Sequence, residues 1–355
     1  MKIKKLTALL LAASLLVSAS GCAADKSWAA KDDSLTVPIG SYIYDLYAAY
    51  GSASSLAADK TKPVLDQKIE NKDAKTWIRS KALTNLKSLF VVDRKMKAMK
   101  LSLTSAEQAA AKKNLDSAWQ QYQSSFEGYG VAKPSFGIAY SDYAAKYEKV
   151  FFATYGKGGP KAVPDGEMKG FFEKNYSDFS YLAFPLYKTD DSGNFSAMFS
   201  ADEKKKLEAE VNGYLAKVKG GSMTLQQAAD AHNKAGGAEV SVQAATSNLV
   251  ANTEGYPDDM VKLIRGMKTG EAKAAEISDA YFYLLAVKND IVKKTAEQMK
   301  TEDGRKKLLS DYKGKEFSDQ IAKEADSVTG VTLNEKALDS YSPSMFAAED
   351  SQKQS

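Results

Sequence analysis

Residues 73–103 read DAKTWIRSKALTNLKSLFVVDRKMKAMKLSL. Within them Ile78, Ala82, Leu86, Leu89, Phe90 and Met96 recur at steps of three and four, or their multiples. That spacing is one broad apolar face of a helix, with Lys81, Lys87, Arg94 and Lys95 toward the other side. At 1.5 Å per residue such a helix is about 40 Å long, more than a small core needs. The stretch therefore predicts the backbone of an all-helical module on which the flanking segments are hung. Leu103-Thr-Ser-Ala-Glu107 follows at once, where Thr104 can cap the next helix and Glu107 can reach back to it.

Toward the N-terminus, Lys2, Lys4 and Lys5 precede an apolar run and then Ala19-Ser20-Gly21-Cys22. This is the pattern of a secretory leader over residues 1–21. Its ending matches a lipoprotein signal, in which Cys22 is cut, acylated and left as the new N-terminus; Ala19 stands where Leu is commoner. An ordinary Ala-x-Ala-type cleavage nearby is the alternative. A lipid on Cys22 would place the protein outside the cytoplasm, anchored to the membrane. No second apolar run reaches the roughly 20 residues a spanning helix requires.

Cys22 is the only cysteine, so a lipidated mature chain has no thiol nucleophile, thiolate metal site or redox pair. The net charge of +4 shrinks without the leader: 49 basic residues fall to 46 without Lys2, Lys4 and Lys5, against 45 acidic. Charges are interspersed, and no basic patch interleaved with aromatics suggests nucleic acid as a partner.

In chain order, residues 22–34 read as a polar tether and 35–39 as a short strand. Tyr42, Ile43, Leu46, Tyr47 and Tyr50 then mark an aromatic helix ending near Gly51. After the long helix, Ala110, Leu115, Trp119 and Tyr122 mark a third, and 141–152 a fourth. The glycines of 156–160 lack the spacing and Ser/Thr of a phosphate loop. Past a short helix with Met168, Phe171 and Phe172 the character changes. Residues 179–187 read as a strand, Ser200/Glu203 and Thr224/Gln227 as further capping boxes, Gly236-Gly237 as a turn and 280–287 as an apolar strand. This predicts a β-α-α-α-β unit. Helix returns over 292–325, and 341–355 read as a disordered tail.

The fold class expected is mainly α with an α+β insert. Its parts are a helical module over 35–175, the insert over 176–291 and a returning helix over 292–340.

These motifs carry a resemblance. Ile39-Gly-Ser-Tyr-Ile, Trp77-Ile-Arg-Ser-Lys-Ala82, Leu103-Thr-Ser-Ala-Glu107 and Val163-Pro-Asp-Gly-Glu-Met-Lys-Gly-Phe-Phe-Glu-Lys-Asn175 resemble the helical part of PrsA/SurA-type foldases. Those extracytoplasmic chaperones hold substrates in a helical module split by a parvulin-type peptidyl-prolyl isomerase domain. The middle resembles that parvulin domain. Leu215-Ala-Lys-Val-Lys-Gly-Gly-Ser-Met-Thr-Leu-Gln-Gln-Ala-Ala229 is similar to one of its runs, with Leu225 where Phe is usual. Ala235-Gly-Gly-Ala-Glu239, residues 263–270 and Ala280-Tyr-Phe-Tyr-Leu-Leu-Ala-Val287 are similar to its turn, a Leu-x-x-Gly stretch and its last strand. The likeness covers roughly residues 22–325 and rests on short motifs.

The resemblance implies a lipid-anchored chaperone or foldase whose partners are unfolded or nascent exported proteins. Parvulins carry a histidine on the first strand and one on the last. Here the first strand has none and Tyr283 stands at the second position, which makes the domain degenerate. The only histidine, His232, matches neither site and reads as a surface or helix-end residue. No catalytic residue, metal or cofactor is expected. A weak isomerase pocket lined by Phe184, Met260, Tyr281 and Tyr283 is the alternative, because isomerisation needs no covalent step. A solute-binding lipoprotein is a further alternative that the long helices disfavour.

Overall fold

A computed structural model describes residues 25, 27–190, 192–235, 240–251 and 255–347. The expected leader over residues 1–21, Cys22 and Gly236-Gly237 lie outside them. The described chain is mainly helical with small antiparallel sheets. It divides into two compact units, residues 1–153 with 316–355, and residues 154–315.

The first unit opens with β1 (Trp28–Lys31) and β2 (Thr36–Pro38). Residues 28–31 were expected in a polar tether. They form a strand because Ala29 and Ala30 are small enough to bury completely in the middle of a sheet. Helix α1 (Ile39–Leu56) follows, and Asp25 accepts the Gly40 N–H at 2.9 Å, filling a vacancy at its first turn. A Cβ on Gly40 would lie 2.9 Å from both Asp25 and Ser135, so the contact requires glycine. The helix runs past Gly51, where a loop was expected. Ser52, Ser54 and Ser55 donate their hydroxyls to carbonyls four residues back.

A two-residue hairpin, β3 (Lys68–Ile69) and β4 (Lys72–Asp73), turns on Glu70 and Asn71, both at positive φ. It delivers Asp73 as cap of α2 (Ala74–Ala98), the long helix, whose apolar face packs on α1. At 25 residues it is about 37 Å long. Helices α3 (Ser105–Gly128), α4 (Lys133–Gly137) and α5 (Tyr143–Tyr155) complete this part, with a π turn (Ile138–Asp142) joining the last two. Their shared core holds Tyr42, Leu46, Phe90, Trp119, Phe126 and Phe136.

The second unit begins before α6 (Asp165–Asn175) and builds a four-stranded sheet. Strands β5 (Ser177–Pro185), β6 (Tyr187–Thr189) and β7 (Phe195–Met198) are followed by α7 (Ala201–Lys219) and α8 (Leu225–Lys234). Then come β8 (Ala245–Val250), α9 (Asp258–Gly266), β9 (Ala272–Ile277) and β10 (Phe282–Lys288). The sheet order is β8-β5-β10-β9, and β6 with β7 forms a separate hairpin. The strands expected near 180 and 284 are therefore neighbours, with Tyr283 opposite Phe184. One face carries Leu182, Phe184 and Leu285 against α7 and α8; the other carries Phe179, Leu284 and Ala286 against α9. Helices α10 (Ile291–Gln298) and α11 (Glu302–Asp326) follow, with Phe171 of α6 packed on Tyr312.

The unit boundaries fall inside α5 and α11, away from 175/176 and 291/292. The last residues rejoin the first unit. Strand β11 (Thr332–Leu333) pairs with β1, and α12 (Glu335–Asp339) follows. Residues 341–347 were expected to be disordered. Instead Phe346 is buried, because Tyr47, Tyr50 and Tyr129 form a socket around its ring at 4.9–5.8 Å.

Candidate functional site

Among the described residues no group of three or more His, Cys, Asp or Glu side chains is placed to hold a metal ion. His232 sits on the last turns of α8, with Nδ1 2.9 Å from Glu210 Oε1 on α7. The Tyr214 hydroxyl donates to the same oxygen at 2.7 Å, and burial together with Glu210 pushes that phenol well above its ordinary range. The imidazole stands edge-on to Phe184 at 4.9 Å. These contacts tie α7, α8 and β5 together. Pro185, Phe199, Leu207 and His232 line a cavity of about 310 Å³ beside them, whose rim carries Glu203 and Lys206.

The four residues singled out from sequence divide among three places. Phe184 and Tyr283 face each other across β5 and β10 on the α7/α8 side and are buried. Met260, on α9, is buried on the opposite side of the sheet. The β-strand period of two forces this separation: Leu284, next to Tyr283, is the residue that meets Met260's cluster. Tyr281 joins neither cluster. It is 57% exposed, in the left-handed region at φ 55°, at the entry to β10.

Tyr281 instead meets the β6–β7 hairpin. Tyr187, Gly193, Phe195, Met198 and Tyr281 line an open cavity of about 530 Å³. Phe195 and Met198 are three residues apart, which in a regular strand puts them on opposite faces. A register shift opposite Lys188 and Thr189 inserts one residue and brings them to the same side. Sequence reading missed β7 and this bulge, and no local signal marks the insertion.

A second apolar surface lies within the first unit. Phe126 and Phe136 are buried, 5.0 Å apart, and tyrosines radiate from them toward solvent. Tyr44 meets both phenylalanines edge-on at 5.9 and 5.0 Å; Tyr140 stacks on Phe136 at 4.8 Å; Tyr122 lies 5.6 Å from Phe126. Tyr122 and Tyr140 are more than a third exposed. Burial and the neighbouring Asp45 hold the Tyr44 phenol far above its ordinary range. Tyr140 lies within the π turn, four residues after the Phe136 on which it stacks.

No helix among the described residues is long and apolar enough to cross a membrane. No protein-family model matches the chain, and no curated protein matches it. Among solved structures it is similar to PrsA from Bacillus subtilis at 15% identity and a TM-score of 0.31, over 77% of this chain and 92% of that one. A likeness of that degree assigns neither family nor activity.

Proposed function

We propose that this chain is an extracytoplasmic holding chaperone, tethered by lipid on Cys22, that binds unfolded exported polypeptides. The tyrosine surface built on Phe126 and Phe136 carries the reading. Tyrosine offers a flat apolar ring and a hydroxyl that bonds to any passing backbone, so it suits partners of no fixed sequence. Each ring has few rotatable bonds, and those of Tyr44 and Tyr140 are already braced by ring contacts. Little freedom remains to be lost on binding. Each ring pair contributes about 0.5–1.5 kcal/mol beyond buried area, so a client touching two or three rings is held weakly and released readily.

The test is suppression of aggregation of a denatured client at equimolar protein. The wild type should suppress it, and Tyr122→Ser with Tyr140→Ser should lose at least half of that effect without loss of helix signal. Equal aggregation with and without the wild type ends the reading. Radiolabelled palmitate incorporated into the wild type but absent from Cys22→Ser tests the tether.

A further inference from the structure

Strands β8 and β9 end the main sheet of the second unit, and β7 is one edge of its hairpin. Two are defended. Lys273 and Glu276 lie on β9, paired with Glu271 and Lys204, and β8 is bent by its register shift and by Ser247 at positive φ. The third is bare. All four residues of β7, Phe195-Ser-Ala-Met198, are exposed, and none is charged or proline. Among the described residues its backbone bonds only across to β6.

We propose that β7 accepts an extended, uncharged peptide segment as a further strand, with Tyr187, Phe195, Met198 and Tyr281 contacting its side chains. Open N–H and C=O groups along the edge call for a partner with matching donors and acceptors, which a peptide has and acyl chains lack. The bulge that gathers Phe195 and Met198 on one side builds an apolar floor beside that edge, and Tyr281 closes it at the cost of left-handed backbone. The edge is presented on fixed backbone. The Leu186 N–H donates to the Tyr281 carbonyl at 2.8 Å, the Phe199 N–H to the Leu186 carbonyl at 2.9 Å, and Lys188 pairs with Glu203 at 2.6 Å. The inference deepens the holding function and rests on it for the source of the segment, an unfolded client.

The probe is fluorescein-labelled Ser-Val-Thr-Val-Thr-Val-Ser, titrated with the full chain and read by anisotropy, beside the same peptide N-methylated at alternate residues. The wild type should bind the parent peptide. N-methylation should weaken binding at least tenfold, and so should Phe195→Ser with Met198→Ser, with an unchanged circular dichroism spectrum. The proposal is overturned if the wild type does not bind the parent, or if either change leaves affinity intact. It is also overturned if sedimentation finds a wild-type dimer that the double variant abolishes, since a second copy then fills the edge. Vesicle binding lost in the double variant would overturn it in favour of a membrane surface. Failure of the parent reading looks different: a wild type that binds the peptide yet does not hold a denatured client removes the chaperone and leaves the edge site standing.

Discussion

Asp45 lies on α1 with its side chain inside the first unit's core, and its Oδ2 finds no hydrogen-bond partner among the described residues. Loss of water holds this carboxyl well above the ordinary range. In the unfolded chain the same group ionises near pH 4. The folded unit therefore loses stability as pH rises above that value, by up to about 1.4 kcal/mol per pH unit, until the raised folded-state value is passed. All three tryptophans, Trp28, Trp77 and Trp119, are in the first unit, so indole emission during urea unfolding reports on it alone. Asp45→Asn should gain on the wild type steadily from pH 5 to pH 8 in that measurement; a constant difference would refute the account. Asp32 runs the other way. Burial opposes its charge, but Ser34, Arg94 and the Leu35 N–H outweigh this and hold it at about 2. Its contribution is present above pH 4 and fades as pH falls toward 2. Asp32→Asn should cost about 2 kcal/mol at pH 7 and almost nothing at pH 2.

At the next scale, helix starts were the most legible features. Thr104 with Glu107, Ser200 with Glu203 and Thr224 with Gln227 each form the reciprocal pair their spacing implied. Thr104→Ala should cost about 1 kcal/mol, read from Trp119 emission because Trp119 is on the capped helix. Strands were legible where they are apolar on both faces, as in β5 and β10. They were not where neighbours impose them. Ala272-Lys-Ala-Ala-Glu-Ile277 favours helix by composition and is a strand because β10 offers it a ladder from Phe282 to Val287. Ala245–Val250 is drawn in the same way by β5. The candidate sites suffered from parity. Sequence alone did not say that Met260's helix packs behind the sheet while Phe184 faces α7, nor that one inserted residue turns Phe195 toward Met198.

For the whole molecule, the first unit joins residues 1–153 to residues 316–355, while residues 292–315 of the helix expected to return belong to the second. Phe346 shows how strongly the end is held. Phe346→Ala removes a ring from a full socket and should destabilise the first unit by about 3–5 kcal/mol, seen as an earlier indole transition in urea. The chain's polar character after residue 340 hid Phe346 and the Tyr341 and Met345 that pack beside it on the same core. The strand order β11-β1-β2 carries a further consequence. The Trp28 carbonyl accepts from Asn334, 306 residues away, so β1 emerges from the ribosome well before its second neighbour and waits for it. During vectorial synthesis one flank of that strand stays bare until the stretch around Leu333 appears. Every nascent chain stalled before then exposes an unzipped seam, and this body matures only once residues 332–334 are free to pair with β1.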